Sequence, residues 1–258
     1  MTSTEQYYRK MTQTPVASLI LRLGIPTTIS MLITSIYNMA DTYFVGTLGP
    51  SAQAATGVLF TLQAIIQGIA FMLGQGSGTF IARELANKDT DKASMFVSSA
   101  FFCGGAIGSL ILAIGMVFLA PIVRLLGSTE TILPHAMDYG FWVLISCPLV
   151  ICSMVLNNGL RYEGKAFYAM FGLTGGGLLN ILGDYILVSK LNMGVYGAGL
   201  ATAVSQTISF LILLFMFHKM AQSRISIRCV SRHFSDYFAI CKVGLPSLIR
   251  QGLTSNMR

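Results

Sequence analysis

Charged side chains are scarce in this chain. They make up 10% of its 258 residues, where a soluble domain carries about 25%, and 53% of the residues are hydrophobic. Such a composition cannot clothe a water-soluble globule, which excludes the ordinary soluble classes. The five cysteines, Cys103, Cys147, Cys152, Cys229 and Cys241, lack metal-ligand spacing, and three lie in apolar runs, so they read as packing residues. No nucleophile–base or metal-ligand constellation is visible, so no enzyme is expected. No cleavable signal peptide is expected from residues 1–15, which are polar, or from the first apolar run, which is too long for one. The net charge of +7 does not gather into a patch. It is scattered between apolar runs, as cytoplasmic anchoring charge is, and nucleic acid is not an expected partner.

What is present is a series of long apolar runs, at about 17–46, 55–82, 96–123, 134–159, 166–189 and 195–218, with a further one beginning near Phe238. Each of the six meets the roughly 20-residue requirement for crossing a bilayer as a helix. The fold class is therefore all-α and polytopic, a six-helix transmembrane bundle. Lys and Arg give the orientation. Arg9, Lys10 and Arg22, then Arg83, Lys88 and Lys92, then Arg161 and Lys165, then Lys219, Arg224, Arg228, Arg232 and Lys242 all fall on one side. The opposite loops hold Arg124 and Lys190. A cytoplasmic N-terminus in a cell membrane follows. The basic segment after the sixth run, residues 219–237, is expected to lie on the anionic inner leaflet.

An internal repeat appears near the end. Arg22-Leu23-Gly24-Ile25-Pro26 is echoed by Lys242-Val243-Gly244-Leu245-Pro246, and Ile29, Thr34 and Ser35 by Ile249, Thr254 and Ser255. Six crossings separate the copies, so both enter from the same side as parallel repeats. The expected organisation is a cytoplasmic tail (1–15), a six-helix bundle (16–218), a basic connector (219–237) and the start of a second bundle (238–258).

Of the ten acidic residues, Asp41 and Asp184 alone lie inside apolar runs. An aspartate at helix centre costs about 2.5–3.5 kcal/mol on insertion scales, so it faces protein or a water-filled cavity. Thr34, Tyr37 and Asp41 fall on one stripe of the first helix, with Asn38 beside them. The first and fifth helices run in the same direction, and each carries its acid near the far end. Orientation alone puts the two carboxylates at similar depth. Asn180 precedes Asp184 by four residues, and Gly176 precedes Asn180 by four, where a glycine lets a neighbouring helix approach. Thr202, Ser205, Gln206 and Ser209 form a stripe on the sixth helix, and Asn157 and Asn158 could join from the fourth. Two carboxylates, an amide oxygen and a hydroxyl make a hard-oxygen site suited to Na⁺ or to a shared proton. The alternative is a structural network in which each acid merely binds backbone or a hydroxyl.

Other patterns carry less. Gly159 to Lys165 fits G-x-x-x-x-G-K, but Ala166 stands where a phosphate loop needs Ser or Thr, and an apolar helix precedes it instead of a strand. Gly197-Ala198-Gly199 opens a membrane helix with no βαβ context. His135, His218 and His233 sit at run ends or in loops.

Taken together, Asn38-Met39-Ala40-Asp41-Thr42-Tyr43-Phe44-Val45-Gly46, Gly76-Ser77-Gly78 with Ala82-Arg83-Glu84, Asn157-Asn158-Gly159-Leu160-Arg161, Asn180-Ile181-Leu182-Gly183-Asp184 and the run Gly194 to Thr202 resemble helices 1, 2, 4, 5 and 6 of multidrug and toxic compound extrusion (MATE) transporters. The resemblance implies twelve helices in two bundles, of which this chain gives the N-terminal one. It implies antiport of amphipathic or cationic compounds against Na⁺ or H⁺, with no organic cofactor. It assigns the cation site to Asp41, Asn180, Asp184 and Thr202, and a supporting network to Tyr37, Tyr139 and Asn157. It also marks Pro26 as the place where the first helix bends on protonation. Two rival readings remain: a lipid-linked saccharide flippase of the same superfamily, which would want basic residues inside the cavity, and a non-transporting membrane scaffold.

Overall fold

The computed structural model describes residues 14–255, with side chains to residue 251. The tail with Arg9 and Lys10, and the side chains of Thr254 and Ser255 in the repeat, lie outside the described residues. All described secondary structure is helical. It comprises α1 (Val16–Gly46), α2 (Pro50–Ala86), α3 (Thr90–Leu125), α4 (Leu133–Tyr162), α5 (Ala166–Asp184, continued by a π-helical stretch Tyr185–Lys190), α6 (Gly194–Met220), a 3₁₀ turn (Ile227–Cys229) and α7 (Phe234–Ser255). Six are long and apolar enough to span a membrane: α1, α2, α3, α4, α5 with its π-helical extension, and α6. The chain is a multi-pass membrane protein of the all-α class.

Local chemistry sets the helix ends. Gly49 takes φ +118° so that Pro50 can open α2, a position where proline's missing N–H costs nothing. Asp89 caps α3 by accepting from the backbone N–H of Lys92 at 2.9 Å. That bond holds the Asp89 carboxyl below the usual carboxylate range, so the cap survives until the pH drops beneath that range. Inside α3 the backbone leaves helical geometry at Phe118 (φ −112°, ψ 21°), three residues before Pro121. Proline cannot donate to the preceding turn and crowds its carbonyl, which explains the kink there.

The helices are arranged around α4. It packs against α2, α3, α6 and α5, and its most apolar window is 61% buried. The corresponding figure for α1 is 6%, which places α1 at the rim, seated chiefly on α5. Pro26 is buried within α1, and the helix runs through it unbroken. The hydroxyls of Thr27, Ser30 and Thr34 donate to the carbonyls of Leu23, Pro26 and Ser30. Three successive back-bonds of this kind satisfy polar groups inside an apolar helix, and such bonds slightly bend helices.

The connector's backbone is bonded to the start of α3 and the turn after α4 through Ser94, Ser98, Ser99 and Glu163. The seventh helix begins at Phe234, four residues earlier than its apolar run, because Ser231 builds its first turn. Ser231 Oγ bonds Asp236, and its carbonyl accepts from the Tyr237 hydroxyl at 2.9 Å. α7 then packs on α2.

Candidate functional site

The site forms where α1, α2, α4, α5 and α6 converge. α1 can reach α5 and α6 can reach it from the other side because α5 is glycine-rich. A Cβ on Gly176 would lie 2.8 Å from the Ser209 Cβ on α6, and one on Gly177 would lie 3.1 Å from the Tyr37 ring on α1. Only glycine permits both approaches. Asp184 closes α5, and the helix widens into π geometry at the next residue, Tyr185. Such widenings are frequent at functional sites.

A small cavity, partly open to the exterior, lies at this convergence. Tyr37, Asn38 and Asp41 line it from α1, Gln63, Ile66 and Gln67 from α2, and Tyr139, Val143, Ser146, Cys147 and Val150 from α4. Asn180 from α5, with Thr202 and Gln206 from α6, complete the wall. No lysine or arginine is among these lining residues.

Tyr139 is the hub. Its hydroxyl donates to Asp41 Oδ2 at 3.1 Å and receives a long contact from Gln63 Nε2 at 3.5 Å. It also interacts with the Thr202 side chain. Asn180 Nδ2 donates to Thr202 Oγ1 at 3.2 Å. Asp184 is fully buried behind the wall, within electrostatic range of Asp41 and Tyr139. Helices distant in sequence thus bring Asp41, Asn180, Asp184, Thr202 and Tyr139 into one neighbourhood.

What these groups lack matters as much. Both oxygens of Asp184, Oδ1 of Asp41 and Oδ1 of Asn180 are buried without a hydrogen-bond partner. All four are acceptors. An unpaired buried carboxylate costs several kcal/mol, and two carboxylates in one neighbourhood add mutual repulsion. A hard cation or a proton would relieve both costs. Among the described residues no group of three or more His, Cys, Asp or Glu that could hold a metal ion converges; the groups gathered here are two carboxylates, an amide and a hydroxyl, oxygen groups of the kind that hard cations accept.

Three sequence candidates sit elsewhere. Asn157 is fully buried but donates to the Ala169 carbonyl at 2.9 Å, fastening α4 to α5 outside the cavity wall. Asn158 donates to Met154 of its own helix. Pro26 lies several turns before Asp41. Conversely, Gln63 and Gln67 were not anticipated. They stand four apart in an apolar helix and form a polar stripe on α2 like that of Tyr37 and Asp41 on α1. Replacing Tyr139 by phenylalanine is expected to leave Asp41 without its donor at little cost in stability, under about 2 kcal/mol for a bond inside a membrane. Thermal denaturation in detergent measures that cost.

A bundle of membrane-length helices around a polar cavity, with acids buried beside it, defines the chain as a polytopic membrane protein. It belongs to the MatE family, whose profile matches residues 26–186. It is similar to the multidrug export protein MepA of Staphylococcus aureus (strain MRSA252), with 29% identity over 252 residues, 96% of this chain and 55% of that protein. An FAD transporter of Shewanella oneidensis is 28% identical over 215 residues, 81% of this chain and 48% of that protein. The fold matches a solved multidrug resistance MATE family transporter of the MOP superfamily in an outward-facing conformation. The TM-score is 0.87 at 29% identity, covering 97% of this chain and 55% of that one. The chain thus spans about half the length of these relatives and corresponds to their N-terminal half.

Proposed function

We propose that this chain supplies the N-terminal bundle of a secondary multidrug antiporter, which exports amphipathic or cationic compounds in exchange for Na⁺ or H⁺. The observation that carries the reading is the unpaired acceptor set of Asp41, Asn180 and Asp184 beside a partly open polar cavity. In this reading Asp41, Asn180, Asp184 and Thr202 hold the coupling ion, and Tyr139 orients Asp41. Tyr37 and the π-widened end of α5 shape the surroundings. The bound ion removes the repulsion between the acids and lets α1 repack on α5, with Pro26 as the point of bending. A second bundle, anticipated by the repeat at Gly244 and Pro246, completes the substrate path. The two bundles then alternate between faces of the membrane, with the N-terminus cytoplasmic.

Cavity chemistry favours this substrate class. A wall with one carboxylate, several amides and no lysine or arginine attracts neutral or cationic compounds. It offers no cationic side chain to the phosphates of a flavin dinucleotide or of a lipid-linked saccharide. Transport by the reconstituted transporter, with a Na⁺ gradient and a pH gradient imposed separately, tests the reading. One of the two should drive export of an organic cation. Failure of both, together with no ion-dependent protection of Asp184 from carboxyl-modifying reagents, would favour the scaffold.

A further inference from the structure

Glu163 sits at the α4–α5 turn, where its neighbours mimic a phosphate loop and where a solvated loop acid would be unremarkable. It is instead fully buried. Its carboxylate accepts from the backbone N–H of Gln222 at 2.6 Å and of Ser223 at 3.1 Å, and from the Ser223 hydroxyl. Lys165 bridges the same elements, bonding Glu163 at 3.4 Å and the carbonyl of Met220. Charge-assisted bonds of this kind are the strong ones, and a buried anion that makes them holds its donors firmly.

The hold continues along α3. Ser94 Oγ accepts from Arg224 N at 2.9 Å, Ser98 Oγ from Ser226 N at 3.1 Å, and Ser99 Oγ from Ser231 N at 2.8 Å. Ser231 in turn builds the first turn of α7 through Asp236 and Tyr237. The connector between α6 and α7 is therefore no slack tether. Its path is fixed by side chains of the first bundle, from the end of α6 to the start of α7.

We propose that Glu163 is a positioning residue that anchors the α6–α7 connector to the bundle and thereby sets where α7 sits on α2. The consequence is mechanical. The connector is held to the first bundle up to Ser231, so any hinge between the bundles lies at the start of α7 or beyond it. This holds whichever ion, if any, the acidic site binds.

Hydrogen–deuterium exchange of the intact chain in lipid nanodiscs tests it without relying on transport. In the parent, amides 222–226 are expected to exchange at least tenfold more slowly than an unstructured loop. In Glu163→Gln, the new amide N–H₂ points a donor at backbone donors. Exchange at 222–226 and across 234–251 should rise at least tenfold, while 146–158 in α4 stays as in the parent. Rapid exchange at 222–226 in the parent overturns the proposal. So does a variant that frees 222–226 yet leaves 234–251 protected. Should Glu163→Gln fail to accumulate, the pair Ser94→Ala and Ser98→Ala removes the next bonds along the connector. Exchange in the same peptides is then measured, with the same rise expected and the same protection of 234–251 overturning the proposal.

Discussion

Asp41→Asn is expected to insert and fold at least as well as the parent and to lose ion-driven transport. The parent carries a carboxylate inside a membrane helix, with one oxygen bonded to Tyr139 and the other buried without a partner. Asparagine keeps the size and an acceptor for Tyr139 but removes the charge. The insertion cost of about 2.5–3.5 kcal/mol for a central Asp is relieved in part, and the repulsion from Asp184 disappears. Thermal stability in detergent should therefore hold or rise. Coupling should fall at least tenfold, about 1.4 kcal/mol of lost ion binding, because Asp184 then offers a single carboxylate where the pair offered two. Uptake into liposomes under an imposed gradient reads the second quantity. An Asp41→Asn transporter that still accumulates substrate against its gradient would remove Asp41 from the coupling site.

Gly244→Leu is expected to have the larger structural effect. A Cβ at Gly244 would lie 2.0 Å from the Met72 carbonyl oxygen, and one at Gly76, on the facing helix, 2.2 Å from that of Ile240. Both obstacles are backbone, so no side-chain rotation relieves them, and α7 must withdraw from α2. Overpacking costs of about 1–3 kcal/mol are then joined by loss of the bonds Ser247–Gln75 and Gln251–Gln67, which cross the same seam. Cysteine cross-linking of positions 75 and 247 should fall sharply in Gly244→Leu. Undiminished cross-linking would contradict the seam. Combining it with Gly76→Leu should add less than the two separate losses, since either change alone separates the helices. Gly24→Ala is the contrast. It is the repeat partner of Gly244, yet nothing lies within 4 Å of its added Cβ. Alanine there should be neutral or stabilise by about 0.5–1 kcal/mol through helix propensity alone.

This pair shows how far the sequence reaches. Gly24 and Gly244 occupy equivalent places in two copies of one motif, and nothing local distinguishes them. Their difference arises because α2 crosses one copy and leaves the other at the rim. Asp41 and Asp184 behave otherwise. A charge inside an apolar run is anomalous wherever the run packs, so these two acids are conspicuous in the sequence itself. Glu163 is the reverse case: a glutamate between Tyr162 and Gly164 in a turn carries no anomaly, and only the folded connector reveals it as buried. Gln63 and Gln67 fall between, being legible as a polar stripe but less conspicuous than an acid.

By itself the sequence determined six membrane-length helices, the places where they break, the two acids that must turn away from lipid and the family that the motifs in order resemble. These rest on composition and periodicity over about 20 residues, and the cost of a charge in hydrocarbon acts on each helix alone. The tertiary structure decided which acid is paired with Tyr139 and which is left bare, which glycines carry a helix crossing and which glutamate holds the connector. Hydrogen-bond satisfaction and backbone approach are properties of residues far apart in the chain, and only their meeting assigns them.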